Sequence, residues 1–136
     1  MAVAAVLAGH YKLAIDHAND AIASARQVRD TYRESFASFY LGKAYRGCGD
    51  TNDAAAAFSR AIELCPADSR KGFLALALLS LGEVQEQLGD RERALRNYRS
   101  ARDIAPRQGR ADLEVAATEQ IASLTAVEGK DDGEKG

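Results

Sequence analysis

The sequence has no tryptophan, only two prolines and only two cysteines among its 136 residues. Cys48 and Cys65 form no CxxC motif, so we expect two free, buried thiols in a reducing, cytoplasmic setting. The apolar opening "MAVAAVLAG" is short and is not preceded by a basic residue, which differs from a signal peptide. With 28% charged residues the chain is too polar for a membrane span, and we expect no membrane partner.

A strong excess of either charge is also absent, because the formal net charge is −2. Long-range attraction to nucleic acid or to an anionic membrane is therefore not expected. No nucleophile, base and metal ligands converge in the sequence: His10 and His17 lie about two turns apart on one helix without further ligands. The "RGCGD" stretch, 46–50, has no third glycine and is better explained as a turn than as a phosphate loop. We expect the protein to have no enzymatic activity and to bind no cofactor, no metal and no small-molecule substrate.

The most prominent feature of the sequence is an internal repeat with a period of forty residues. The segment "LGKAYRGCGDTNDAAAAFSRAIELCP", 41–66, corresponds to "LGEVQEQLGDRERALRNYRSARDIAP", 81–106. The same shift aligns Gly9, Gly49, Gly89 and Gly129, then Ala14, Ala54 and Ala94, then Ala21, Ala61 and Ala101. Each period holds two helical patterns joined by a glycine and, in the two central copies, by the N-capping residue Asp50 or Asp90. The repeating unit is therefore a helical hairpin.

Small residues recur where the two helices of each hairpin should cross. Gly42 and Gly82 are expected to allow a close approach, with Phe58 and Tyr98 filling the space beside them.

These positions together resemble the tetratricopeptide repeat (TPR). The residues that carry the resemblance are Leu41, Gly42, Tyr45, Gly49, Ala54, Phe58, Ala61 and Pro66, and residues 81–106 repeat them with Gln85 in place of the tyrosine. A HEAT or armadillo array has a similar period but does not predict the Leu-Gly and Ala-x-x-x-aromatic pairs. The resemblance implies an all-α, right-handed α-solenoid of antiparallel hairpins with about seven helices.

The chain departs from the common TPR pattern in two respects. Ser38 and Leu78 stand where a tryptophan is often found, and the period is forty rather than about 34 residues. The longer helices resemble the variant found in kinesin light chains, Pins-like adaptors and many bacterial regulators.

The repeat divides the chain into a helical repeat domain, 1–128, and a polar tail, 129–136, that we expect to be disordered. The expected parts of the domain are a partial repeat 1–28, full repeats 31–66 and 69–106, and a terminal helix 110–127. The glycine at position 9 should separate two helices within the partial repeat. The terminal helix could cap the array, whereas the start has no comparable cap. Either the chain is a piece of a longer protein or another element, such as a second copy, covers the helix at 10–28.

The resemblance implies a protein-interaction module, a scaffold or adaptor, that binds a peptide or short helix in a concave groove. The positions that would line it are Phe36, Phe39, Lys43, Arg46, Leu76, Leu79, Glu83, Glu86, Glu119 and Ser123. The segment 73–84 is apolar almost all round, which supports a groove independently. An equally supported interpretation buries the apolar members of this set in the core. A groove with basic and acidic ends would fit a ligand whose apolar anchors lie between opposite charges.

Two alternatives remain open. The chain could form a homodimer through its uncapped first hairpin, which a charge at Ile15 or Ile22 should disrupt. The least favoured alternative is weak nucleic-acid binding by an arginine stripe, since its members also suit a solvated helix face. The stripe consists of Arg93, Arg96, Arg99 and Arg102. The Lys and Asn clamp by which some TPR proteins bind chaperone C-termini is not matched, because Phe39 and Lys43 occupy its first two positions.

Overall fold

The computed structural model describes residues 2–66 and 73–135, with side chains described at 9–66 and 73–126. These residues form six α-helices and one 3-10 helix, and no strand occurs among them. The all-α expectation is confirmed. The helices are α1 (Ala2–Gln27), α2 (Thr31–Cys48), α3 (Thr51–Leu64), α4 (Phe73–Gln87), α5 (Arg91–Ile104), the 3-10 helix (Ala105–Gln108) and α6 (Ala111–Lys135). None of the described helices combines the length and the apolar character that crossing a membrane requires.

The chain forms two compact units, Met1–Asp68 and Ser69–Gly136. In the first unit α2 packs against both α1 and α3. In the second unit α5 packs against both α4 and α6, and the 3-10 helix contacts α5 and α6. Each unit is thus built from one full helical hairpin and one additional helix.

The turns within the two full hairpins are nearly identical. Gly49 and Gly89 are left-handed, with φ of 84° and 81°. The amide of Gly49 donates to the Arg46 carbonyl at 3.1 Å, and the equivalent Gly89 bond measures 3.0 Å. The Asp90 carboxylate then caps α5 by accepting from the Arg93 amide at 3.2 Å, whereas Asp50 makes no side-chain cap. The predicted glycine turns are confirmed, and the predicted aspartate cap forms in one of the two.

Glycine also sets the distance between the paired helices, as the sequence predicts. A methyl group added to Gly42 would lie 2.6 Å from the Phe58 ring, and one added to Gly82 would lie 2.6 Å from the Tyr98 ring. Phe58 and Tyr98 have no exposed surface. The pair of glycine and aromatic ring is therefore the central contact of each full hairpin.

The expected turn at Gly9 is absent, because α1 is one helix from Ala2 to Gln27 and Gly9 lies inside it. His10 follows this glycine, so the aspartate that follows Gly49 and Gly89 is missing here. The structure consequently has one helix where the sequence predicts two. At the other end α6 continues to Lys135 instead of ending near 127, so the residues expected to form a disordered tail are helical up to 135. Here too the glycine, Gly129, is followed by a non-capping lysine.

Candidate functional site

A groove of about 1100 Å³ lies between α1 and α2 in the first unit. One wall is a stripe of small residues on α1, and the other consists mainly of aromatic and basic residues on α2. The α1 stripe contains Ala14, Ala18, Ala21 and Ala25, whose spacing of four, three and four places them on one helical face. Ala18 and Ala25 are buried against α2, while Ala14 and Ala21 are exposed. The small side chains leave the groove open.

The α2 wall presents two aromatic rings to solvent. Phe36 is 42% exposed and Tyr40 is 48% exposed, although both are large and mainly apolar. Their ring centroids lie 4.8 Å apart in an edge-to-face arrangement, which is the favoured geometry for an aromatic pair. Such a pair is a rigid apolar anchor for another molecule.

Basic groups mark the rim of this groove. The Nζ atom of Lys43 lies 5.8 Å from the centroid of the Tyr40 ring, within the range of a cation–π contact. Arg33 lies ten residues earlier on α2 and forms an ion pair with Asp30 at 3.2 Å. Among the described residues that line the groove, none carries a carboxylate. The site is therefore apolar at its floor, and its rim carries the positive charge of Lys43 together with the Arg33–Asp30 ion pair.

Of the predicted groove residues in the first unit, the structure places Phe36 and Lys43 in this groove. Phe39 belongs to the core: it is 3% exposed, and its ring centroid lies 5.6 Å from that of Phe58 on α3. Three residues of a helix amount to a rotation of about 300°, so the two side chains point about 60° apart, which lets Phe39 reach α3 while Phe36 lines the groove. Arg46 is half-buried and does not line the groove.

The other predicted groove residues belong to the second unit. Leu79 is buried, Leu76 and Glu83 are half-buried, and Glu86 accepts a 2.7 Å hydrogen bond from the Tyr98 hydroxyl. Glu119 and Ser123 are exposed on α6. A single groove that runs through both units stays a prediction.

Sequence reasoning missed Tyr40, Ala14 and Ala21 as site residues. The repeat pattern assigns Ala14 and Ala21 to the inside of a hairpin, because their equivalents forty residues later are buried. Their exposure follows from the missing turn at Gly9. The sequence signal that could have found it is the absence of an aspartate after this glycine.

The arginines around α5 are partly engaged within the second unit. Arg91 donates to the Leu124 carbonyl at 3.0 Å and so connects α5 with α6. Arg93 forms an ion pair with Asp90 at 3.3 Å. Arg96 and Arg99 are exposed. This arrangement fits the solvated helix face that the sequence favours.

Within the part of the chain that the structure describes, no group of three His, Cys, Asp or Glu residues is placed to hold a metal ion. Cys48 is exposed, contrary to the expectation that it is buried, and Cys65 is half-buried. Burial raises the pKa of the Cys65 thiol, and a hydrogen bond with Ser35 opposes this effect.

The family model described as "Tetratricopeptide repeat" matches residues 34–107, which is more than half of the chain. The match does not distinguish the long variant found in kinesin light chains and Pins-like adaptors. A comparison with curated proteins finds no significant match. The matched region includes both glycine turns and both pairs of glycine and aromatic ring described above, and the chain therefore belongs to the tetratricopeptide repeat family.

Proposed function

We propose that this chain is a non-enzymatic protein-interaction module that binds a short helix of its partner in the groove between α1 and α2. Tetratricopeptide repeats generally act as protein–protein interaction modules. The observation that carries the proposal is the open apolar groove with Phe36 and Tyr40 exposed at its wall. A protein surface rarely leaves adjacent aromatic rings exposed beside a large apolar cleft unless another molecule covers them.

The equivalent positions of the two full hairpins indicate that a helix fits the groove, because a helix covers them there. Ala54 and Ala61 of α3, and Ala94 and Ala101 of α5, have no exposed surface, since the first helix of each hairpin packs on them. Their equivalents in α1 are Ala14 and Ala21, and both are exposed. The uncovered surface of α1 therefore has the form that accepts a helix in the rest of the fold.

The lining residues define the chemistry of the ligand. An amphipathic helix with small or apolar residues at i, i+3 or i+4, and i+7 would pack on the alanine stripe and on Phe36 and Tyr40. Acidic residues at the edge of that helix would lie near Lys43 and Arg33, which are ten positions, or about 15 Å, apart along α2.

The test is a selection of helical peptides from a displayed amphipathic library, followed by affinity measurements with purified variants. We expect Tyr40→Glu to weaken binding of the selected peptides at least tenfold, because it places a charge in the apolar wall. Leu13→Glu is the matched control, since Leu13 is 57% exposed on α1 but does not line the groove. Circular dichroism checks that both variants fold. If Tyr40→Glu leaves the affinity of the selected helices unchanged, their binding site lies outside this groove.

A further inference from the structure

We propose that the helix that occupies this groove is α6 of a second copy of the same chain, so that copies associate head to tail. The inference rests on the proposed function, because it names the ligand of the same groove. It is supported by the repeat register, by an uncovered face on α6 and by the charges of the two surfaces.

The repeat register makes α1 and α6 complementary halves of one hairpin. Subtracting forty from Leu113 and Ala117 of α6 gives Phe73 and Ala77 of α4, so α6 has the phase of a first helix. Adding forty to residues 11–24 of α1 gives residues 51–64, which are α3, so α1 has the phase of a second helix. Among the described helices of its own unit, neither helix has the partner with which it would form a full hairpin.

α6 carries an uncovered face at the positions that α2 and α4 use to contact their second helices. In α2 these positions include Ser35, whose hydroxyl donates to the Ala61 carbonyl at 2.6 Å, and Gly42, which meets Phe58. In both α2 and α4, the first four of the six positions are buried. The six equivalents in α6 are all exposed: Val115, Thr118, Glu119, Ala122, Thr125 and Ala126. We call these six residues the open face of α6.

Transferring the contacts of the full hairpins predicts which residues meet. The crossing of Gly42 with Phe58 becomes a crossing of Ala122 with Ala18 of the second copy, where two small residues allow close approach. The contact of Ser35 with Ala61 becomes one of Val115 with Ala21. Each of these contacts has side chains of compatible size.

A polar contact of the second unit also has an equivalent in the proposed contact between copies. The Asn97 amide donates to the Gln85 side-chain oxygen at 2.5 Å in the second unit. The equivalent residues are His17 on α1, which lines the groove, and Thr125 on the open face of α6. An imidazole N–H and a hydroxyl oxygen are a donor and an acceptor, so this polar pair is retained.

The charges of α6 and of the groove rim differ in sign. From position 111 to 128, α6 contains no lysine or arginine; of its acidic residues Glu119 lies on the open face, and Asp112 is paired with Arg110 at 3.0 Å. The groove presents Lys43 and Arg33 and, among its described lining residues, no carboxylate. Opposite charge favours this pairing over a symmetric contact between two grooves or between two acidic helices.

Two variants that each block one surface test the proposal. Ala21→Glu places a charge in the groove, and Ala122→Glu places one on the open face of α6. Both alanines are exposed in the single chain, so both variants should fold. We expect the unaltered chain to associate as its concentration rises and each variant alone to remain at 14.6 kDa. An equimolar mixture should form a complex of twice that mass, because one intact groove and one intact α6 remain.

The controls separate this inference from the proposed function. Leu13→Glu, outside both surfaces, should associate like the unaltered chain. A mixture that stays monomeric overturns the head-to-tail pairing, and so does association of either variant alone. If the unaltered chain is monomeric at all concentrations while library-selected helices still bind in a Tyr40-dependent way, a foreign helix is the ligand. The inference then fails and the proposed function stands.

Discussion

Phe36, Phe39 and Tyr40 lie within five consecutive positions of α2, yet they have different roles. Phe39 faces α3 and is buried beside Phe58, while Phe36 and Tyr40 face the groove with nearly half of their surface exposed. Sequence spacing shows that Phe36 and Tyr40 share a face because they are four residues apart. It cannot show which face is covered, since this depends on the neighbouring helices that the chain supplies.

Truncation of these aromatic residues should therefore affect stability unequally. We expect Phe39→Ala to lower the free energy of unfolding by about 3–5 kcal/mol, the usual cost of removing a buried ring. Tyr40→Ala should cost less than about 1 kcal/mol, because its ring is half exposed. Urea unfolding followed by circular dichroism measures both values. Equal losses would mean that Tyr40 is also part of the core.

The two thiols should differ in their reaction with iodoacetamide. Burial raises the pKa of the Cys65 thiol, and only the thiolate reacts, so Cys65 should be alkylated more slowly than the exposed Cys48. Mass spectrometry of peptides labelled between pH 7 and pH 9 measures both rates, and the chain unfolded in urea is the control. Faster labelling of Cys65 in the folded chain would contradict its burial.

The same raised pKa affects stability. The folded state holds the Cys65 proton more tightly than the unfolded state does. The resulting contribution to the free energy of unfolding is fully present below the ordinary thiol pKa, near 8.5. It is lost as the pH rises through the higher pKa of the folded state.

At the level of helices, the sequence predicts glycine turns at Gly9, Gly49 and Gly89 and a disordered tail from 129 onward. Gly49 and Gly89 form turns, whereas α1 and α6 continue through Gly9 and Gly129. The third left-handed glycine, Gly109, has the repeat phase of the left-handed Arg29 instead of that of Gly49 and Gly89, and it precedes α6. A glycine permits a turn but does not enforce one. The next residue can favour the turn, as Asp90 does by capping α5, but the turn at Gly49 forms without a side-chain cap from Asp50.

Alanine substitution distinguishes the two kinds of glycine. Gly49→Ala should destabilise the chain by about 1 kcal/mol, since its φ of 84° is unfavourable for a residue with a Cβ atom. Gly9→Ala should be neutral or stabilise by up to about 1 kcal/mol, because a helix favours alanine and no atom lies within 4 Å of the added methyl group. Thermal unfolding measures both. Destabilisation by Gly9→Ala would instead support the turn at Gly9 that the sequence predicts.

Another feature at this level could not be predicted from the sequence. Glu34 is 6% exposed and connects three helices: it accepts from Arg26 of α1 at 3.1 Å and lies 3.6 Å from Arg60 of α3. In the sequence it is one of many charged residues near a helix start. Only the packing of α1 and α3 against α2 brings these two arginines to one carboxylate.

For the whole molecule, the fold was predictable because its determinants recur at fixed spacing. Leu41 with Gly42, and Leu81 with Gly82, describe the same hairpin twice, so two copies support one interpretation. The candidate site was only partly predictable. The site lies at α1, where the forty-residue pattern does not produce a full hairpin. No second copy of this interrupted repeat is available in the sequence for comparison.

The proposed assembly makes a last prediction about mass. A contact between two different surfaces leaves one groove and one α6 unoccupied at the ends of every complex, so further copies can add. The weight-average mass should therefore pass twice 14.6 kDa as concentration increases, without a plateau at the dimer. Light scattering coupled to size exclusion, and sedimentation velocity, measure this. Added salt should lower the mass, because the proposed contact brings Lys43 and Arg33 of the groove close to the acidic residues of α6. A plateau at the dimer mass would instead indicate closure, either by a symmetric contact between identical surfaces or by reciprocal exchange of α6 between two copies.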